Sequence, residues 1–105
     1  MGDYLQVTTT VDSEEEAERI SAALVERRLA ACAQVIGPVA SRYRWQGKIE
    51  QAQEWMCLAK TEASLYPDVE AAIRELHSYD EPEIVATPIV AGSKGYLDWI
   101  DRSVR

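Results

Sequence analysis

Apolar positions along the chain switch between a period of two and a period near 3.6, and the switches mark the elements. Residues 3–11, DYLQVTTTV, are rich in β-branched side chains, with Leu5, Val7 and Val11 on one parity. That pattern predicts a strand with one buried face. In the next stretch, VDSEEEAERISAALVERRLAA, Ala17, Ile20 and Leu24 recur at helical spacing. Ser13 with Glu16 three residues on predicts a capping box, and Glu14, Glu15 and Glu16 favour the positive end of the helix dipole. Arg27 and Arg28 suit its C-terminal end.

Two extended runs follow and meet at Gln46-Gly47, the expected hairpin turn. In AQVIGPVASRYRW the odd positions Ala33, Val35, Val39, Tyr43 and Trp45 are mostly apolar and read as one face. Gly37-Pro38 interrupts that run, as a bulge or an edge-strand proline does. KIEQAQEWMCLAKT becomes apolar on both faces toward its end, the mark of a central strand. SLYPDVEAAIRELHSYD reads as a second helix, with Pro67 in its first turn and Leu65, Val69, Ile73 and Leu76 on its buried side. PEIVATPIVAG reads as a buried strand, and SKGYLDWIDRSVR as a short last helix with Ser93 at its cap. The order is βαββαβ plus a C-terminal helix, an α+β, ferredoxin-like arrangement in one domain over residues 1–105.

The hairpin is too long for a compact monomer. A domain of this size has a radius of gyration near ~13 Å. Each arm, continuous over about 14 residues, would run roughly 45–50 Å. Its outer part carries Tyr43, Trp45 and Ile49, which face water unless something covers them. The alternatives are a bent or shorter hairpin within a monomer and, the favoured expectation, a homo-oligomer whose neighbours complete the hairpin's pairing. With Gln46-Gly47 as the turn, Cys57 faces Ile36 and Cys32 faces Thr61, or one residue away if Gly37 bulges. The cysteines are then roughly 13 Å apart and cannot form a disulfide.

Composition narrows the function. The chain has 105 residues and 47% apolar content, enough for one modest core and too much for disorder. Eleven basic residues against 18 acidic give a net charge of −7, which argues against nucleic acid. No apolar run reaches membrane-spanning length. Met1-Gly2-Asp3-Tyr4 lacks the start of a signal peptide, and Gln6 stands where a myristoylation signal needs Ser or Thr. Two cysteines outside any Cys-x-x-Cys pair are expected to be reduced, and the chain reads as cytoplasmic.

Candidate chemistry centres on His77, the only histidine. It is read either as a helix C-terminal residue interacting with the last carbonyls or as a metal ligand. With Glu83, or a neighbouring subunit's carboxylate, it would suit Zn²⁺ or Cu²⁺ at modest affinity. Cys32 is a candidate thiolate ligand or a buried, inert strand cysteine. Lys60 lies amid apolar strand residues and should pair or reach a cleft. It either lines an inter-subunit pocket for a small anion with Tyr79, Glu83 and Trp99, or forms an ion pair with Glu83. Gly92-Ser93-Lys94-Gly95 lacks the full phosphate-binding pattern and reads as loop and cap. One histidine with no nucleophile–base pairing leaves nothing for a catalytic triad, so no enzymatic activity is expected.

Several spaced motifs resemble one family. ERRLAACAQVIGPVASRYRWQGKIE (26–50), CLAKT (57–61), HSYDEPEIVATPI (77–89) and YLDWI (96–100) are together similar to the CutA proteins, associated with divalent-cation tolerance. The resemblance implies a ferredoxin-like protomer in a PII-like homotrimer, with copper-type metal binding, no obligatory cofactor and an alternative role as a small-molecule sensor. Where the family usually has His-Pro-Tyr, this chain has His77-Ser78-Tyr79; Thr9 and Leu76 stand where some members offer cysteine and a second histidine as ligands.

Overall fold

The computed structural model describes residues 3–105, so the expectations concerning Met1 and Gly2 lie outside the described residues. The elements run β1 (Tyr4–Val11), α1 (Glu14–Glu26), β2 (Cys32–Trp45), β3 (Lys48–Glu62), a 3₁₀ turn at Ala63–Leu65, α2 (Tyr66–Leu76), β4 (Ile84–Ile89) and α3 (Lys94–Ser103). The strands form one antiparallel sheet in the order β2-β3-β1-β4, the ferredoxin-like arrangement expected from the sequence.

One face of the sheet is closed. Val7, Thr9 and Val11 of β1 and Cys57, Ala59 and Thr61 of β3 are buried there, together with Ile20 and Leu24 of α1 and Val69 and Ile73 of α2. The helices form where the sequence signalled them. Ser13 caps α1 by accepting the Glu16 N–H at 3.1 Å. Arg28 adopts φ 59° just after α1. Its guanidinium donates to the carbonyls of Arg102 and Ser103, so one arginine satisfies the end of α3 while closing α1.

The other face is only partly covered. Helix α3 lies over one end of it. The Tyr4 hydroxyl donates to Asp101 at 2.8 Å, and that bond, with desolvation added, raises the phenol to about 12. Ser93 sits at the N-cap position of α3 without a side-chain capping bond. Strand β4, read from the sequence as buried, is an edge strand: Val85 is 48% exposed, on the face α3 leaves open. The expectation failed because an apolar run looks the same whether or not a helix covers it.

The hairpin turns at Gln46-Gly47, both with positive φ (50° and 78°), and Trp45 pairs with Lys48. The long axis of the molecule is 45 Å. The ladder shifts between Ile36 and Val39, where two residues oppose Trp55 alone. Gly37 is required there, because a Cβ would lie 2.2 Å from the Trp55 indole. The bulge corrects the reading of the odd positions as one face. Ala33 and Val35 join the closed core, whereas Val39, Tyr43 and Trp45 fall on the opposite face with Ile36. It also moves the pairing by one residue, to Val35 opposite Cys57 and Lys60 opposite Cys32, and both cysteines are free.

Candidate functional site

Helix α2 ends at Leu76, and His77 follows with extended backbone (φ −82°, ψ 141°) while its N–H still reaches the Ile73 carbonyl. This turn-out swings the imidazole beneath the end of β1 instead of toward the last helical carbonyls. There Nε2 lies 2.8 Å from the Thr10 carbonyl and Nδ1 lies 3.1 Å from the Tyr79 N–H. A backbone N–H can only donate, so Nδ1 accepts and the proton sits on Nε2, which donates to Thr10. The ring is therefore neutral in this arrangement. The 3.7 Å approach of Glu16 to Nδ1 is not an ion pair, because that nitrogen carries no proton.

Glu16 is buried, and its carboxylate is matched to the same turn. It accepts the Ser78 N–H at 2.8 Å and the Ser78 hydroxyl at 2.9 Å. The expected capping box is thus half formed: Ser13 caps, and Glu16 reaches across to residue 78 instead of back to Ser13. Tyr79 then lays its ring 4.8 Å from the imidazole and donates its hydroxyl to the buried Glu54 at 2.8 Å. Burial raises the Tyr79 phenol well above its ordinary value, and the bond to Glu54 raises it further. The result is a connected chain, Ser78–Glu16 and Thr10–His77–Tyr79–Glu54, that pins the exit of α2 to β1, α1 and the root of the hairpin.

The expected metal residues separate. The His77 side chain has no exposed surface and both ring nitrogens are engaged. Glu83 is exposed and touches only the far side of the same residue, its carboxylate 3.4 Å from the Thr10 hydroxyl. Cys32 lies at the other end of the sheet, half-buried, with its sulfur 3.6 Å from the Tyr96 hydroxyl. Among the described residues no three His, Cys, Asp or Glu side chains stand close enough to hold a metal.

The residues expected to line an inter-subunit cleft also stand apart within the one chain. Tyr79 holds Glu54, six residues along β3 from Lys60, a span of roughly 20 Å. Lys60 donates to Gln34 at 3.1 Å and forms no ion pair with Glu83, correcting that expectation. The register explains it: Lys60 pairs with Gln6, which pairs with Thr87, four residues beyond Glu83. The Trp99 ring lies tilted against that of Tyr96, centroids 5.4 Å apart, on α3, and the lysine's aromatic neighbour is Tyr96. Glu16, Glu54 and Tyr96 were not singled out from the sequence as site residues. Each acts through a partner at least 25 residues away, and local spacing carries no signal for that.

The family model described as CutA1 divalent ion tolerance protein matches residues 5–103. The chain belongs to this family. It is 47% identical over 94 residues to the divalent-cation tolerance protein CutA of Thermus thermophilus, covering 90% of this chain and 91% of that one. The solved structure of the divalent cation tolerance protein Cut A1 from Thermus thermophilus superimposes with a TM-score of 0.95, at 43% identity, over 97% of this chain and 99% of that one. The structure described as the periplasmic divalent cation tolerance protein CutA of Archaeoglobus fulgidus gives 0.94, at 41% identity, over 97% and 99%. CutA membership explains why the fold matches in both the long hairpin and the added C-terminal helix.

Proposed function

We propose that this CutA-family chain acts in divalent-cation tolerance as a non-catalytic, cytoplasmic homotrimer that binds Cu²⁺ or Zn²⁺ weakly and keeps no resident metal. The observation that carries the reading is the family match over residues 5–103. Weak binding is supported by the site itself. A cation reaching His77 must displace its ring from Thr10 and the Tyr79 N–H, and that cost is subtracted from the affinity. Glu83, exposed beside Thr10, supplies the first oxygen ligand on that route. Cys32 is a second, separate thiol contact beside Tyr96.

Assembly is supported by the open face and the projecting hairpin. Ile36, Tyr43, Trp45, Ile49 and Val85 are 45–64% exposed, and the edges β2 and β4 lack strand partners. Two free cysteines support a reducing compartment, although one relative's name is periplasmic. Isothermal titration with Cu²⁺ and Zn²⁺ tests the cation reading. Weak binding is expected, reduced in both Glu83→Gln and His77→Ala; a wild-type protein that takes up neither ion refutes it. Light scattering should return three times the 11.8 kDa chain mass, and a monomer removes the trimer. Cell fractionation checks the compartment.

A further inference from the structure

Under α3 the sheet carries a row of polar side chains that folding does not call for. Cys32 on β2, Lys60 on β3, Gln6 on β1 and Thr87 on β4 are successive cross-strand partners, one from every strand. They share the face that α3 covers. Between this row and the helix lies a cavity of about 370 Å³. Gln6, Lys60, Thr87 and Tyr96 line its polar side, and Leu97 and Ile100 its apolar side. The volume and the mixture of walls suit a small organic ligand.

Lys60 gives the ligand its sign. It is half-buried, its ammonium donates to the neutral Gln34, and it takes part in none of the ion pairs among the described residues. A half-buried cation without a carboxylate beside it leaves its charge free to meet an anion. A single ammonium with apolar walls matches a carboxylate better than a phosphate, which calls for more donors.

We propose that this cavity binds a small organic carboxylate, with the carboxylate on Lys60 and Gln6. Its short apolar body packs against Leu97 and Ile89, and a hydroxyl substituent reaches Thr87 and Tyr96. The site goes beyond cation tolerance: it lies at the other end of the sheet from His77 and selects the opposite charge.

The intact protein is titrated with butyrate, 3-hydroxybutyrate and uncharged butyramide, followed by backbone amide shifts and calorimetry. Both carboxylates should move the amides of Gln6, Lys60 and Thr87, with 3-hydroxybutyrate the tighter. Butyramide should bind about tenfold or more weakly, having lost the charge-assisted contact. Lys60→Met keeps the stem and should abolish carboxylate binding, Lys60→Arg should retain it, and the share of Cu²⁺ uptake that His77→Ala removes should be unchanged in both. Equal binding of butyramide, undiminished binding by Lys60→Met, or no shifts with either carboxylate overturns the proposal. If Lys60→Met does not fold, Thr87→Val decides: it should erase the preference for 3-hydroxybutyrate over butyrate, and a preserved preference overturns the site.

Discussion

The two faces of the sheet are built by opposite rules. On the face under α1 and α2, Val7, Val11, Ile20, Leu24, Val69 and Ile73 are at most 1% exposed, and nearly every layer is apolar. On the face under α3, a helix of ten residues covers only one end, the covered row is polar, and Ile36, Tyr43, Trp45 and Val85 stand open. The closed face has the composition of a core, where area removed from water is the main stabilising term. The open face leaves apolar side chains that the chain itself does not cover.

Substitutions should separate the faces. The largest effect is expected on the closed one: Ile73→Ala should cost about 2–5 kcal/mol in chemical denaturation, through lost burial and a residual cavity. Val85→Ala removes a comparable apolar group from the open face and should stay within about 0.5 kcal/mol for the folding of one chain. Its effect should appear instead in light scattering, as a smaller assembled fraction. A large folding cost at Val85 with assembly untouched would erase the distinction.

His77 tests the boundary between the regions. His77→Ala empties a buried position and leaves the Tyr79 N–H and the Thr10 carbonyl each short of one partner, so a loss of about 2–4 kcal/mol is expected. Amide exchange should quicken first over residues 77–83. Unchanged stability would mean that the ring is not a structural tie, and would make its nitrogens available to a metal without cost.

The closed face was the legible half. Period and burial coincide there, so the spacing of Ala17, Ile20 and Leu24 or of Val69 and Ile73 reads directly as contact with the core. The Gly37-Pro38 interruption was visible as well, but its effect was not. A two-against-one bulge turns Tyr43 and Trp45 to the other face, and only the register carries that information. His77 stood out as the sole histidine, yet its partner is a main-chain carbonyl 67 positions earlier, a group every residue possesses. Glu16 fitted a local rule and obeyed a distant one, because Ser78 offers two donors where the Ser13 N–H offers one. The polar row of Cys32, Lys60, Gln6 and Thr87 has no signature along the chain, since strand order alone brings the four side by side.

A smaller effect of opposite sign is expected inside the closed face. The Thr9 hydroxyl is the one buried side-chain oxygen or nitrogen without a hydrogen-bond partner among the described residues, and Thr9 pairs with the buried Cys57. Thr9→Val keeps the shape and removes the orphan, so it should raise stability by about 1 kcal/mol. A loss instead would show that the hydroxyl has a partner in solution.

The smallest effect is confined to alkaline pH. The Tyr79 phenol is raised by burial and by its bond to Glu54, so the folded chain holds that proton at pH values where an unfolded tyrosine, near about 10, has released it. Between those two values the native state binds more protons than the unfolded one, and stability falls as pH rises. The contribution is complete below about pH 10 and is lost progressively above it. Tyr79→Phe should lower stability at neutral pH through the missing bond to Glu54, yet flatten the decline above about pH 10 in thermal melts. Parallel curves for the two proteins would mean that the phenol is not held by Glu54, and the link from the α2 exit to the hairpin root would be broken at that point.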